Sequence, residues 1–360
     1  MSALDHHDRR LALVGTLLGV AITLVSILGN GGDIAGLIKF GETPDAVELT
    51  AHVERVLDRD VVTVDAGHDG MYFYVQALDP FFLDPDLHGV QLDRPHYRAQ
   101  RMLFPLVAGA GGLMPAELTM WAMAAVNIAA MALGTVGTGR IARRLGGSTW
   151  LGLAFALNPG IVFEFDISGA GILAFACAIW GTLAVMEERS RAAVGWFVAA
   201  VLAREVMLLY LAGVCCHRLW TTRRVPWLLG GVPFLAVLGW AGYVRLRLDP
   251  GVDVDQVQEF GPPFGGMLDS FENWLSQPLQ LAIIAGLIAA MPLLVVRAAQ
   301  RPNPLAWGAV GFILIALLMT RQVWWNFFDI SRAIAPIVTA YVVTSFSESS
   351  DTHRVAVATA

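Results

Sequence analysis

A succession of apolar segments, separated by arginine-bearing connections, constrains the fold of this 360-residue chain more than any other feature. Charged residues make up only 15% of the chain, whereas soluble domains contain about 25%. A helix needs about 20 apolar residues to cross a bilayer. We therefore predict an all-α polytopic membrane protein with about ten transmembrane helices, surrounded by a lipid bilayer. The predicted spans are 11–29, 118–139, 149–164, 168–186, 192–203, 206–220, 227–246, 279–297, 305–320 and 332–347.

The placement of arginines predicts the orientation of these spans. Cytoplasmic loops are enriched in Lys and Arg, and arginines concentrate in the connections on the side that holds both termini, so this side is predicted to be cytoplasmic. The apolar stretch 102–116 would reverse every later loop if it crossed the membrane. We therefore predict a short interfacial or re-entrant helix there, bent at Pro105 and the glycines that follow.

The chain is predicted to form a single integral-membrane domain over 1–360, with no soluble domain, internal repeat or strand region. The first extracytoplasmic loop, 30–101, contains the candidate active site, and a second extracytoplasmic loop covers 248–278. Apolar residues that recur on one face predict a helix over 46–57. A second helix, lying along the membrane, is predicted over 69–78.

The polar stretch Gly67–Tyr74 lies within the first loop. Polar groups kept beside a membrane are costly, so their position is a clue to function. Asp69 opens the predicted helix, either as an N-cap or as a general base or metal ligand. His68 is either solvated or tunes that carboxylate. Tyr72 belongs either to an interfacial aromatic belt or to a wall that stacks on a sugar.

Arginines at the end of the same loop suit a phosphate. Arg98 and Arg101 lie three residues apart and share a face if the segment is helical, and guanidinium groups bind phosphate bidentately. Anchoring to lipid headgroups is the alternative. Asp93 and Tyr97 lie beside them as further candidates for substrate contacts.

Arg204 and Glu205 interrupt the apolar run 192–220. The leg before them, 192–203, reaches only about 18 Å at 1.5 Å per residue, well short of a membrane core of about 30 Å. We therefore predict that this pair lies below the outer surface and lines a cavity walled by protein. Charges in such a position form an internal ion pair or mark a substrate pathway.

Further charged residues are predicted on the same outer side. Asp329 and Arg332 pair with each other at the start of the last span, or Arg332 binds phosphate. Glu164 and Asp166 add two carboxylates between the third and fourth spans, where Asp166 serves as a helix cap in the simpler interpretation.

Several functional classes are disfavoured. The chain contains no G-x-x-x-x-G-K-[ST] phosphate loop, no G-x-S-x-G nucleophile elbow and no H-E-x-x-H zinc motif. The predicted cytoplasmic loops are too short for a nucleotide-binding domain, so a nucleotide-sugar substrate is not expected. The basic residues do not form a nucleic-acid surface, so no nucleic-acid partner is expected.

The order of these parts resembles the GT-C superfamily of integral-membrane glycosyltransferases, which have a first span, a long extracytoplasmic loop with an acidic motif, and many further spans. Five segments resemble, in order, the Y-D-G-Q-F-Y, D-P, Y-R-x-x-R-x-L-x-P-L, T-R-E and S-R-x-x-A-P motifs of bacterial GT-C-like proteins of cell-surface glycopolymer formation. They are His68–Tyr74, Leu78–Pro80, Tyr97–Leu106, Ala203–Glu205 and Ser331–Pro336.

The resemblance implies transfer of a hexosyl or pentosyl group from a polyprenyl-phosphate donor to a glycan, lipid or protein acceptor, usually with inversion. The reaction would take place on the outer face of the bacterial cytoplasmic membrane, with Asp69 as the catalytic base. Donor phosphate would meet Arg98, Arg101, Arg204 and Arg332. The full set of candidate substrate-binding residues is His68, Tyr72, Asp79, Asp93, Tyr97, Arg98, Arg101, Arg204, Glu205, Asp329 and Arg332.

The chain departs from the motif pattern at two positions, where His68 replaces a tyrosine and Met71 a glutamine. No second acidic residue adjoins Asp69, so no cofactor is assigned and a divalent metal stays an open alternative, with Asp79 and Asp93 as the nearest further carboxylates. The alternative function is a transporter or flippase of an anionic lipid or glycolipid. A non-catalytic partner in an envelope assembly is the third hypothesis.

Overall fold

Helices form almost all of the regular structure in the computed structural model, which describes residues 5–43, 46–83, 94–248 and 260–347. The first part contains α1 (His6–Gly29), α2 (Ala35–Ile38), α3 (Val47–Leu57), α4 (Asp69–Leu78), α5 (Pro95–Arg98) and α6 (Leu103–Ala108). Two short strands, β1 (Phe40–Gly41) and β2 (Thr63–Val64), flank α3.

Longer helices dominate the rest of the chain. The middle part contains α7 (Ala116–Arg144), a 3-10 turn (Thr149–Gly152), α8 (Leu153–Ala156), α9 (Pro159–Asp166), α10 (Gly171–Met186), α11 (Ser190–Ala203), α12 (Met207–Thr222) and α13 (Trp227–Arg247). The last part contains α14 (Gly265–Leu275), α15 (Pro278–Gln300), α16 (Pro304–Leu318), α17 (Arg321–Trp324), α18 (Phe327–Ala333) and α19 (Ala335–Ser345).

Among the described residues, four helices are long and apolar enough to cross a membrane: α1, α7, α13 and α15. The pair α18 and α19, bent by 69°, makes a fifth if it forms one span. Shorter apolar helices are α10, α11 and α16. The chain is thus a helical, multi-pass membrane protein by the length and composition of its helices, and the predicted count of ten spans is not confirmed.

Two of the predicted apolar runs are broken at identifiable residues. The predicted span 149–164 consists of a 3-10 turn, α8 and α9, with the interruption at Asn158, whose side chain accepts a hydrogen bond from the Gly160 N–H at 2.9 Å. Proline at 159 lacks an N–H and suits the first position of the new helix. The run 192–220 breaks at Arg204, whose backbone is extended (φ −155°).

The first loop contains the helices predicted for it, since α3 begins one residue inside 46–57 and α4 coincides with 69–78. The stretch 102–116 contains the six-residue α6 and then a turn in which Ala110 and Gly111 have positive φ. Six helical residues rise only about 9 Å. This stretch is therefore not a straight span.

The prediction that the chain has no strand is wrong, because β1 and β2 pair in parallel with Phe40 opposite Thr63. A two-residue strand has no periodicity that a sequence could reveal. The pairing depends on contacts made when α3 folds back, such as the hydrogen bond of 2.9 Å from the Thr50 hydroxyl to the Gly41 carbonyl.

Charged residues collect at the two opposite ends of the helix bundle. Where α1 begins, the buried Asp8 accepts from Arg140 at 2.7 Å, and Arg144, at the end of α7, pairs with Glu187 at 2.8 Å. At the other end of α7, the Tyr74 hydroxyl donates to the Ala116 carbonyl at 3.1 Å. This contact holds α4, and with it Asp69, at the end of the bundle away from Arg144.

Helix α9 packs on α18 through a glycine that no larger residue could replace without movement. A Cβ atom at Gly160 would lie 2.0 Å from the carbonyl oxygen of Ser331 and 2.9 Å from the backbone nitrogen of Arg332. The backbones of the two helices therefore touch directly. This contact sets the distance between the side chains that follow on each helix, including Glu164 and Arg332.

We expect Gly160→Ala to lower the free energy of unfolding by about 2 kcal/mol, because the added methyl group forces the two backbones apart. The matched control is Gly195→Ala in α11, where nothing lies within 4 Å of the added atom. Alanine inside a helix is ordinarily more stabilising than glycine by roughly 1 kcal/mol, so the control variant should not lose stability. Thermal unfolding in detergent micelles compares the stability of both variants with that of the wild type. Equal stability of Gly160→Ala and Gly195→Ala would contradict the close contact between α9 and α18.

Candidate functional site

Asp69 is the first residue of α4, and its carboxylate faces arginines rather than capping the helix. The N-cap is His68, and no side chain caps the first turn. The carboxylate accepts from Arg98 Nη1 at 2.5 Å, Arg101 Nη1 at 3.2 Å and Arg332 Nη2 at 3.3 Å. Gly70 brings α4 this deep, since a Cβ there would lie 2.5 Å from the Ile167 carbonyl oxygen.

Arg98 and Arg101 reach Asp69 from the short helix α5 and the turn after it. The Arg98 guanidinium lies over the buried ring of Tyr72, 4.1 Å from its centroid, and that of Arg101 lies 4.7 Å from the centroid of Tyr97. Aromatic faces attract such cations. Arg101 also donates to the Tyr97 hydroxyl. The two tyrosines therefore fix the directions in which the guanidinium groups point.

Glu164 is the most deeply buried carboxylate of this site. It accepts from Arg332 Nε at 2.6 Å, from Arg204 Nη1 at 3.4 Å and from the Gly171 N–H at 2.8 Å. A Cβ at Gly169 or Gly171 would lie within 2.5 Å of the Glu164 Oε1 atom. The two glycines therefore make the space that this carboxylate occupies.

Arg204 and Glu205 lie in the break between α11 and α12 and are largely buried in the protein. Arg204 contacts Glu164, and Glu205 Oε2 lies 3.5 Å from Arg101 Nε. They pair with partners on other segments, and both belong to the same site as Asp69.

Asp329 and Arg332 pair with each other at 3.4 Å, as their spacing predicted. The cap of α18 is Asn326, whose side chain accepts from the Asp329 N–H at 3.1 Å. Arg332 extends beyond this local pair and joins Asp69 to Glu164, so it has contacts with three carboxylates.

Eight charged side chains from five segments thus form one arginine–carboxylate cluster: Asp69, Arg98, Arg101, Glu164, Arg204, Glu205, Asp329 and Arg332. Their formal charges balance. Burial alone would raise the pKa of Asp69, but the facing guanidinium groups, Arg101 and Arg98 first, outweigh it and hold this pKa well below its usual range. Asp69 is therefore ionised at neutral pH.

His68 lies at the edge of the cluster. Burial of its ring, reinforced by the positive charge of Arg332, lowers the pKa of His68 below its usual value. The imidazole is therefore neutral at pH 7 and can donate one hydrogen bond and accept another.

An open groove of about 540 Å³ leads to the cluster and is called here the α1–α9 groove. One wall is apolar and comes from α1, with Leu18, Ala21, Ile22 and Val25; Val162 and Phe163 of α9 continue it. The inner end is polar, with His68, Asn326, Asp329 and Arg332, and the more exposed Asp166 also lines the groove. The groove therefore joins an apolar surface of a candidate membrane-spanning helix to a cationic side chain.

Two candidate residues are not part of the cluster as described. Asp79 is at the opposite end of α4 from Asp69, about 15 Å away at 1.5 Å per residue, and Asp93 lies outside the described residues. Within the described ranges, no three His, Cys, Asp or Glu side chains are grouped as metal ligands.

The sequence analysis left Glu164 out of the candidate site. Its signal was a carboxylate flanked by Phe163 and Phe165 in an apolar segment, followed by the glycine-rich stretch 168–171. An ionisable residue in such surroundings needs a partner. The partners come from positions 40 and 168 residues later in the chain, so they could not be identified from the local pattern.

We expect Glu164→Gln to lower the free energy of unfolding by about 3 kcal/mol, because it leaves buried guanidinium charges without a full counter-charge. Asp166→Asn is the matched control, two residues later on α9. The Asp166 side chain is 44% exposed and makes one ion pair with Lys39 at 3.4 Å, whereas Glu164 is 4% exposed. An exposed pair contributes about 0–1 kcal/mol. Denaturation in mild detergent compares the free energies of unfolding of the two variants. Equal losses of stability would show that the burial of Glu164 does not contribute to the stability of the fold.

Comparisons of this chain with protein-family models, curated proteins and solved structures found no match.

Proposed function

We propose that this protein is a GT-C-like membrane glycosyltransferase that takes its sugar from a polyprenyl-phosphate donor. The observation that carries the proposal is the α1–α9 groove, whose apolar wall ends at Arg332 and the arginine–carboxylate cluster. A lipid-linked sugar phosphate has the same sequence of chemistry, with a hydrocarbon chain, then a phosphate and then a sugar. The motif resemblance described above points to the same class of donor.

The donor would bind with its chain along Leu18, Ile22 and Val25 of α1, where burial of hydrocarbon contributes about 0.8 kcal/mol for each CH₂ group. Its phosphate would reach Arg332 at the inner end of the groove, and Arg98 lies on the other side of Asp69. Guanidinium groups bind phosphate oxygens in a bidentate manner. They also stabilise the negative charge that develops on a departing phosphate.

The proposed reaction uses Asp69 as a general base. The acceptor hydroxyl would give its proton to the Asp69 carboxylate while its oxygen forms a bond to the anomeric carbon of the sugar. The bond between that carbon and the phosphate oxygen would break, and polyprenyl phosphate would leave with the bonding electrons. Attack from the face opposite to the phosphate inverts the configuration of the anomeric carbon.

The arginines make Asp69 a weak base while no donor is bound, since they hold its pKa low. A donor phosphate competes for the same N–H donors. As Arg98 and Arg332 turn towards the phosphate, the Asp69 carboxylate loses hydrogen bonds that favour its charged form, and its affinity for a proton rises. Binding of the donor would therefore activate the base.

The orientation that fits this proposal places the cluster on the outer face of a bacterial cytoplasmic membrane and both termini in the cytoplasm. The arginines near Asp8 and Glu187 would then lie on the cytoplasmic side, as the distribution of positive charge predicts. The acceptor would be a glycan, lipid or protein of the cell envelope. The transferred group would be a hexose or a pentose.

We expect Asp69→Asn to reduce sugar transfer roughly 100-fold or more, the usual contribution of a general base. Purified protein would be incubated with radiolabelled polyprenyl-phosphate hexoses and pentoses and a cell-envelope extract as acceptor. Glu48→Gln, which removes an exposed carboxylate from α3 of the same loop, is the matched control and should keep full activity. Thermal unfolding above the assay temperature confirms that each variant is folded.

Two outcomes would overturn this proposal. Equal transfer by wild type and Asp69→Asn would exclude Asp69 as the base. If neither transfers sugar but the wild type moves a fluorescent anionic lipid across vesicle membranes, the protein is a transporter or flippase.

A variant in the groove tests the donor site without changing the cluster. We expect Ile22→Trp to raise the KM for a long-chain polyprenyl-phosphate sugar about tenfold or more, since the indole would occupy the path of the chain. Leu24→Trp, on an exposed part of α1 outside the groove, is the control and should leave KM unchanged. An unchanged KM for Ile22→Trp would show that the lipid does not use this groove.

A further inference from the structure

A second large crevice, of about 860 Å³, lies at the end of the helix bundle opposite to the arginine–carboxylate cluster. It is bounded by the C-terminal ends of α10 and α12 and by the first turns of α11 and α13. Cavities of this size hold drug-sized ligands. The crevice shares no lining residue with the α1–α9 groove.

Positive charge dominates the polar wall of this crevice. Arg191, Arg218 and Arg224 line it together with a single carboxylate, Glu188. Arg218 binds Glu188 in a bidentate ion pair at 2.7 and 2.5 Å. No ion pair within the described residues engages Arg191 or Arg224. Two guanidinium groups are thus available to an external anion.

The helix ends at the crevice do not by themselves select an anion. Two N-terminal and two C-terminal ends reach it, and the partial charges of these ends oppose one another. Attraction for an anion therefore rests on the arginine side chains. Two hydroxyl side chains, Ser190 and Thr222, add hydrogen-bonding capacity to the same wall.

The opposite wall of the crevice is apolar and comes from the beginning of α13. Trp227 is 79% exposed and Leu228 is 73% exposed, and Leu229 and Val232 line the crevice beside them. Helix α13 is one of the helices long and apolar enough to cross a membrane. Tryptophan at the end of such a helix is typical of the membrane–water interface.

We propose that this crevice binds one anionic phospholipid from the leaflet at this end of the bundle. The phosphodiester headgroup would contact Arg191 and Arg224, and an acyl chain would lie along Leu228 and Val232. Basic pockets between membrane helices favour anionic headgroups. The apolar wall distinguishes a lipid from a soluble phosphate, and the excess positive charge distinguishes an anionic headgroup from a zwitterionic one.

The bound lipid would add a second connection between α13 and α11, which already pack against each other. Leu229, Pro233 and Val244 are the buried residues of α13, so much of the surface of this helix stays exposed. A headgroup held between Arg191 of α11 and Arg224 before α13 would add a contact that the side chains do not make. This proposal is independent of the proposed enzymatic function.

The test compares three forms of the full chain in mild detergent after lipid removal: wild type, Arg191→Gln/Arg224→Gln, and Arg9→Gln/Arg10→Gln. Arg9 and Arg10 are exposed at the same end of the bundle, and their double variant loses the same formal charge outside the crevice. Phosphatidylglycerol or phosphatidylcholine is titrated into each form, and native mass spectrometry counts the lipid molecules that stay bound to the protein. Thermal unfolding with each lipid gives a second measurement.

We expect the crevice variant to bind phosphatidylglycerol about 30-fold more weakly than wild type, since each arginine contributes about 1 kcal/mol and 1.4 kcal/mol is tenfold. The control variant should bind like wild type. Single Arg191→Gln and Arg224→Gln variants, each expected to bind about fivefold more weakly, replace the double variant if it does not fold.

Several results would overturn the proposal. One is that the crevice variant binds phosphatidylglycerol as tightly as wild type. Another is that the control variant loses as much affinity as the crevice variant, which would mean that total charge and not the crevice determines binding. Equal binding of phosphatidylcholine by wild type would mean that only the apolar wall is used. Full competition by inorganic phosphate would identify a soluble anion as the ligand.

Discussion

Mutual neutralisation of buried arginines and carboxylates is the interaction on which the rest of this structure depends. Ionised groups cost several kcal/mol when taken out of water singly, and the arginine–carboxylate cluster avoids that cost because each member faces an opposite charge. The close helix contact at Gly160 and the space left by Gly169 and Gly171 serve the same end, since they bring α9 close enough for Glu164 to reach Arg332.

The same charge balance bears on the proposed function. If an anion binds as proposed, each hydrogen bond that the arginines withdraw from Asp69 would be replaced by one to the ligand, so the exchange would cost little free energy. The α1–α9 groove would then be the route by which an amphiphilic anion reaches Arg332.

Local sequence patterns predicted local structure well. The helix over 69–78, the short helix within 102–116 and the break at Arg204 follow from polarity and spacing, and the structure contains each of them. The number of spans was harder to predict, because hydropathy reports apolar length and does not reveal where a helix stops. The interruption at Asn158 and the 69° bend between α18 and α19 depend on tertiary contacts. Seven of the predicted candidate residues belong to the arginine–carboxylate cluster, whereas Glu164 was not among the candidates because its partners lie far away in the sequence.

The long sequence separation within the cluster has a consequence for how the protein is made. Arg332 meets Asp69 across 263 residues. During synthesis, the part of the site formed by Asp69, Arg98 and Arg101 leaves the ribosome long before Arg332. Glu164 is likewise synthesised long before Arg332, its partner in the folded protein. Helix α18 adds one carboxylate and one arginine together, so it does not change the net charge of the cluster, but Glu164 acquires its closest guanidinium group, that of Arg332 at 2.6 Å, only when α18 has been inserted. In a chain truncated before α18, the buried Glu164 carboxylate would lack its closest counter-charge, Arg332. Such an unpaired buried charge gives cellular quality control a physical basis for distinguishing incomplete chains from complete ones.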